Sequence, residues 1–271
     1  MDELIFHPTT SKQLLLAVKK AKHAYLFVGP EGLGKTTAAQ KFAANLLGEQ
    51  IDAGDLSRWV YILKPEAGKK ISVAQVKEMA KFANQSKALS VEKKVVIIDQ
   101  ADNIGIEAAN SLLSMLEEAP ANTVFILVSN NSESLPNTVL SRLQTIRFYE
   151  PNKQQLETFL QANNIDSKYI DLVGNRPAKL LNAELLEYQV LLAKKADRFA
   201  ESNLAGRLSV VAELSDKIQV EDFMKNLARK MIINTDEFSA HRGESLLLAQ
   251  SHLYNNGNPR FVLECLALEF E

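Results

Sequence analysis

The sequence predicts an α/β fold: a five-stranded parallel sheet with helices on both faces, followed by a small helical unit and a larger all-helical one. Three observations predict it. Short, wholly apolar runs rich in branched residues recur through the first 150 residues, as strands of a sheet covered on both faces require. Between them lie longer segments with apolar residues at helical spacing. Beyond Pro151 the strand-like runs cease, and leucine- and alanine-rich helical patterns continue to the end of the 271-residue chain.

In order, residues 1–23 carry Leu14, Leu15, Val18 and an Ala17/Ala21 edge on one helical face, with Ser11 placed to cap the start. The first strand, 24–28, runs into a loop, and a helix follows with Ala38, Ala39, Phe42, Ala43, Leu46 and Leu47 on one side and Gly48 as its stop. The second strand is expected over 59–63. Ser72 and Gln75 form a capping box that opens a helix bearing Val73, Val76, Ala80 and Ala83. The third strand, 95–98, ends in Asp99. A long helix through Ala108, Leu112, Leu113 and Leu116 stops at Ala119-Pro120, because the residue before a proline avoids helical backbone. Strands four and five are expected over 124–128 and 145–149. These divisions place domains at 1–150, 151–186 and 187–271.

The loop after the first strand carries the most specific signal. Gly29, Pro30, Glu31, Gly32, Leu33, Gly34, Lys35, Thr36 and Thr37 fit G-x-x-x-x-G-K-[ST] between a strand and a helix. A loop leaving a buried strand and entering a helix aims free backbone N–H groups and the positive helix end at its bend, where a polyphosphate is held. Lys35 is then expected on the β- and γ-phosphates of a nucleotide, with the Thr36 hydroxyl and the Asp99 carboxylate on Mg²⁺. Nucleotide binding with Mg²⁺ is therefore expected. Gln100 occupies the place where hydrolysing enzymes of this type carry a carboxylate to orient or deprotonate water, and an amide cannot take that proton. Asn130 stands after the fourth strand, placed either to reach a γ-phosphate or simply to make a turn. Arg142 stands before the fifth, either paired with a local carboxylate or facing outward toward phosphate in a neighbouring subunit.

Composition excludes other chemistries. Cys265 is the only cysteine, so no intramolecular disulfide and no cysteine-based zinc site can be built, and its apolar neighbours place it in a core. The four histidines, at 7, 23, 241 and 252, lack metal-ligand spacing. A formal charge of −2 gives no global pull toward nucleic acid, and the lysine pairs at 69–70, 93–94 and 194–195 and the triad Lys19, Lys20 and Lys22 read as solvated faces. No run is long and apolar enough to span a membrane, and the first twenty residues lack a signal-peptide pattern, so a cytoplasmic location is expected.

Taken together, the segments 23–37, 95–102 (VVIIDQAD), 108–120 (AANSLLSMLEEAP) and 140–142 (LSR), in that order and spacing, resemble the bacterial clamp-loader AAA+ proteins. Within that family they are most similar to the delta-prime branch of DNA polymerase III holoenzymes. The resemblance is strong from His23 to Phe148 and weak after Pro151, although residues 254–260 (YNNGNPR) are similar to a turn in the family's last helices. It implies ATP, with Mg²⁺, as the bound nucleotide, and an AAA+ domain, a small helical lid and a helical collar in a hetero-pentamer with gamma/tau-like and delta-like subunits. Such a complex loads a sliding clamp onto primed DNA during replication, without a membrane partner. It further implies that Arg142 acts in trans as an arginine finger, that Asn130 is the first sensor, and that either Arg176 or Lys179 is the second. Three departures stand out: residues 48–71 lack the family's zinc cysteines, Leu143 replaces the usual cysteine after Ser141-Arg142, and the collar is expected to have fewer helices. The lead-in also lacks the Tyr-Arg-Pro box usual in motor subunits. Two alternatives accompany the main reading: an active motor ATPase in which Asp102 or Glu118 supplies the base, and a clamp-loader-like factor in repair or helicase loading.

Overall fold

The computed structural model describes residues 5–48, 56–66, 69–84, 93–118, 120, 122–214, 216–233 and 238–270. The chain divides into two compact units, one comprising Met1–Ile165 with Asn175–Leu181, the other Asp166–Gly174 with Asn182–Glu271.

The first unit contains α1 (Pro8–Lys19), β1 (Ala24–Val28), α2 (Lys35–Leu47), α3 (Leu56–Trp59), β2 (Val60–Leu63), α4 (Val73–Asn84), β3 (Lys94–Ile98), α5 (Ile106–Glu117), β4 (Thr123–Ser129), α6 (Asn137–Leu140), β5 (Gln144–Arg147) and α7 (Lys153–Ala162). The five strands lie in the order β2-β3-β4-β1-β5, all neighbours parallel. Parallel neighbours need a crossover on one face or the other, and the helices accordingly cover both. Alternate residues supply the two cores. Ala24, Leu26, Val96, Ile98, Phe125 and Leu127 pack with Val76 and Met79 of α4 and Leu112 and Leu116 of α5. Tyr25, Phe27, Val95, Ile97, Val124 and Ile126 pack with Leu14 of α1 and Phe42, Ala43 and Leu47 of α2. The parallel α/β sheet and its flanking helices are thus as the apolar runs predicted.

Local differences have local causes. Helix α1 begins at Pro8 rather than after Ser11: proline's fixed φ suits the first helical position, and His7 caps it by accepting the Thr9 N–H at 3.3 Å. Trp59 closes the short α3 instead of opening β2. The box at α4 is present in both directions, with Ser72 N donating to Gln75 Oε1 at 3.0 Å and Gln75 N to Ser72 Oγ at 3.3 Å. Its buried face uses Met79, and Ala80 is only partly covered. Helix α5 ends at Glu117, and Ala119 lies outside the described residues. Lys94 is buried rather than solvated; its long stem lets the ammonium donate to Phe82 O at 2.8 Å and lie 5.1 Å from the Phe82 ring.

The short α9 (Pro177–Leu180) belongs to the first unit; α8 (Lys168–Val173), α10 (Ala183–Glu201), α11 (Leu204–Ala212), α12 (Lys217–Ile233), α13 (Phe238–Tyr254) and α14 (Pro259–Glu269) form the second, which contains no strand among its described residues. Its core centres on Phe199, Phe223 and Phe270, with ring centroids 5.5 and 5.2 Å apart. Cys265, expected in this core, is only partly buried: α14 turns Val262, Leu263, Leu266 and Ala267 inward and leaves Cys265 at the edge of that face.

Candidate functional site

At the carboxyl ends of β1, β3 and β4 lies a cleft of about 440 Å³. Ligand sites of open parallel sheets form there because loops on either side of a crossover diverge. Gly29 leaves β1 with φ +156°, and a Cβ on it would stand 2.3 Å from Phe148 O, so only glycine fits between the loop and the chain beyond β5. Gly34 is the N-cap of α2, and no side chain caps the helix, so its first-turn N–H groups are left for the cleft.

Lys35 sits at the centre, 6% exposed. Its Nζ donates to Gly29 O and Pro30 O at 2.7 Å each and to Asn130 Oδ1 at 3.0 Å. Burial pulls its ammonium down to about 8, against the carboxylates of Asp102, Glu31 and Asp99, which favour the charge; nearby Arg176 disfavours it. Thr36 Oγ1 donates to Asp99 Oδ1 at 2.8 Å. Asp99 is almost wholly buried, its Oδ1 also accepts the Gln100 N–H at 3.1 Å, and Lys64 Nζ lies 3.3 Å from its Oδ2. The Asn130 N–H donates to Asp102 Oδ1 at 3.2 Å, tying the turn after β4 to the loop after β3.

Gln100 lines the cleft in left-handed backbone, φ 53° and ψ 47°, a conformation that strains a non-glycine residue. Its Oε1 accepts from Asn103 Nδ2 at 3.3 Å. Glu31, Gly32, Gly34, Thr36, Thr37, Asp102 and Asn130 also line the cleft, whereas Leu33 turns into the core. The segment before and through α9 closes on the loop: Ala178 N donates to Gly32 O at 3.0 Å, and Gly32, at φ +84°, leaves 2.9 Å from a would-be Cβ to Lys179 Cγ and 3.1 Å to Arg176 Cβ. Lys179 pairs with Glu31 at 3.4 Å.

Arg142 is not among the cleft residues. Its guanidinium is paired with Glu117 of α5 and donates to Thr138 O at 2.8 Å and Ser141 Oγ at 3.2 Å, so the local pairing anticipated from sequence is made. Glu118 is exposed and does not line the cleft, which leaves Asp102 as the acid there besides Asp99 and Glu31. Sequence reasoning missed Lys64 and Glu117. Both depend on which strand or helix lies beside which, and the signal for Lys64 is only that β2 ends one residue before it.

The donor set fits the group that the loop implies. Magnesium is held by one or two carboxylates completed by hydroxyl, phosphate and water oxygens, and here Asp99 offers the carboxylate with the Thr36 hydroxyl beside it. Among the described residues no three His, Cys, Asp or Glu side chains are grouped to hold a metal ion by themselves, and no helix is long and apolar enough to cross a membrane.

The family described as DNA polymerase III, delta subunit, matches residues 7–152, more than half of the chain. The chain belongs to this family. It is a delta-prime-like member of the bacterial clamp-loader AAA+ proteins. It is 24% identical to DNA polymerase III subunit delta' of Bacillus subtilis, covering 99% of this chain and 96% of that one. It is 37% identical to the delta' subunit of Pseudomonas aeruginosa over 44% of this chain and 41% of that one. To subunit tau of Bacillus subtilis it is 29% identical over 80% of its own length, spanning only 38% of that relative. The fold of this delta-prime-like chain is shared with a DNA polymerase III gamma subunit-related protein of Thermotoga maritima, at a TM-score of 0.69 and 18% identity over 96% of this chain and 98% of that one.

Proposed function

We propose that this chain is a clamp-loader subunit of DNA polymerase III that binds ATP·Mg²⁺ with little turnover of its own and supplies Arg142 to a neighbouring motor subunit. The observation that carries the nucleotide reading is the convergence of Lys35, Thr36, Asp99 and Asn130 at three strand ends, with a nearly buried ammonium beside uncapped helix N–H groups. When bound, Mg²⁺ neutralises charge on the phosphates. Lys35 would then exchange its loop carbonyls for phosphate oxygens, Asn130 would hold the terminal group, and Gln100 would leave water unactivated. We assign the second sensor to Arg176, whose charge already acts on Lys35, rather than to Lys179, which is paired with Glu31. The division into a nucleotide domain over 1–150, a lid over 151–186 and a collar over 187–271 belongs to this reading. So do cytoplasmic residence, the hetero-pentamer with gamma/tau-like and delta-like subunits, and the sliding clamp and primed DNA that the complex engages.

Equilibrium titration with a fluorescent ATP analogue tests the site. Lys35→Ala should abolish binding while leaving the fold intact, since it removes a buried charge; equal affinities would remove the loop as a functional site. The pH dependence has a definite sign. Lys35 must be protonated to hold phosphate, and its folded pKa of about 8 lies below the ordinary value of 10.5. Binding near pH 8 should therefore take up about half a proton, read by calorimetry in two buffers, and affinity should fall as pH rises from 7 to about 9.5. Without ligand, the unfolded chain holds more protons between about pH 8 and 10.5, so this lysine's contribution to stability rises with pH across that window.

A second reading, the active motor subunit, draws on Asp102, which lines the cleft and stands beside Lys35 and Asn130. In that reading Asp102 supplies the base that Gln100 lacks.

A further inference from the structure

In the parallel pair β2 and β3, Leu63 is opposite Ile98, and the Asp99 N–H donates to Leu63 O at 2.8 Å. The next residue on each strand is therefore Lys64 beside Asp99, and their side chains leave the sheet together at the cleft end. Lys64 Nζ lies 3.3 Å from Asp99 Oδ2, while Oδ1 is taken by Thr36 and by the Gln100 N–H. Both carboxylate oxygens thus have cationic or hydrogen-bonding partners.

The lysine is anchored at its root and exposed along its side chain. Its carbonyl accepts Gln75 Nε2 at 3.2 Å, and Pro65 after it restricts its backbone to an extended conformation. Its side chain is 56% exposed, against 9% for Asp99. A long exposed stem can release the carboxylate without disturbing the core, whereas the carboxylate is buried and held by Thr36 and the Gln100 N–H.

We propose that Lys64 sets the divalent-cation requirement of this cleft, by competing with the cation for Asp99 and by supplying a positive charge there when the cation is missing. The proposal rests on the nucleotide reading above. An ion entering beside Thr36 must share or displace the ammonium, because two cations on one carboxylate repel. Lys64 would equally favour polyphosphate in the absence of a divalent ion, since the carboxylates of Asp99, Asp102 and Glu31 around the cleft oppose an incoming anion and the Lys64 ammonium offsets that of Asp99.

The test is titration of the full chain with a fluorescent ATP analogue, over a range of Mg²⁺ and in EDTA, for wild type, Lys64→Met and Lys64→Arg. Methionine keeps the stem and removes the charge. Lys64→Met should reach half-maximal binding at roughly fivefold lower Mg²⁺ and bind more weakly in EDTA, the size expected at the upper end for a partly exposed ion pair. Lys64→Arg should stay near wild type. A Lys64→Met chain that binds the analogue with an unchanged or higher Mg²⁺ midpoint overturns the role of Lys64 alone. A wild type that binds no analogue at any Mg²⁺ concentration overturns the nucleotide reading and this inference with it.

Discussion

Replacing Arg142 with alanine is expected to leave the clamp-loader complex assembled and to slow the one motor site that this arginine serves, by as much as the 10³–10⁵-fold seen for trans arginines in comparable GTPase systems. The guanidinium is fixed before any partner arrives: Glu117 holds one edge, and Thr138 O and Ser141 Oγ hold another. A planar fork with its orientation already set loses little entropy when it meets phosphate. Its stabilisation grows as charge spreads onto the equatorial oxygens of the leaving phosphoryl group, so the loss belongs in turnover rather than in assembly. The fold should tolerate the change, because an exposed ion pair contributes at most about 1 kcal/mol. Lysine should rescue poorly, keeping the charge without the fork. The measurements are size-exclusion chromatography of the complex and its clamp- and DNA-stimulated ATPase; an assembled Arg142→Ala complex with unchanged ATPase would return Arg142 to the role of a surface ion pair.

Gln100→Glu is expected to raise the slow hydrolysis of the isolated chain by up to the 10²–10⁴-fold that general-base assistance is typically worth. The two side chains have the same shape, so the left-handed backbone at this position and its approach to the cleft are unchanged by the substitution. Only the ability to accept a proton is added. Single-turnover hydrolysis with the Asp102→Asn variant alongside separates the alternatives. If wild type already turns over as fast as Gln100→Glu, and Asp102→Asn slows it, then Asp102 is the base and the chain is a motor.

The sheet was legible because its strands are apolar on both faces, a pattern that Ala24–Val28 carries without interruption, and the glycine-rich loop because its glycines and lysine fall between a strand and a helix. Residues whose role depends on lateral neighbours were not legible. Lys64 follows an ordinary short strand, and nothing in its own segment places Asp99 beside it; that follows from β2 lying next to β3 in the sheet order. Glu117 holds Arg142 across 25 residues, which requires knowing that the end of α5 lies beside the turn after α6. Lys94 looked solvated because its neighbour Lys93 suggested a charged face, yet it opens a buried strand and spends its stem on Phe82. Arg176 and Lys179, three residues apart, look alike in the sequence and differ in the structure by their charge partners: Lys179 is paired with Glu31, whereas the charge of Arg176 acts on Lys35.

The central claim is that the cleft holds ATP with little turnover of its own, leaving the chain to act through Arg142. Equilibrium dialysis of the isolated chain against labelled ATP and Mg²⁺, with chromatographic identification of the bound nucleotide, tests it most directly. The account predicts retained nucleotide that is intact ATP and is lost in Lys35→Ala. Recovery of the bound nucleotide as ADP, or no retention by the wild type, would contradict it.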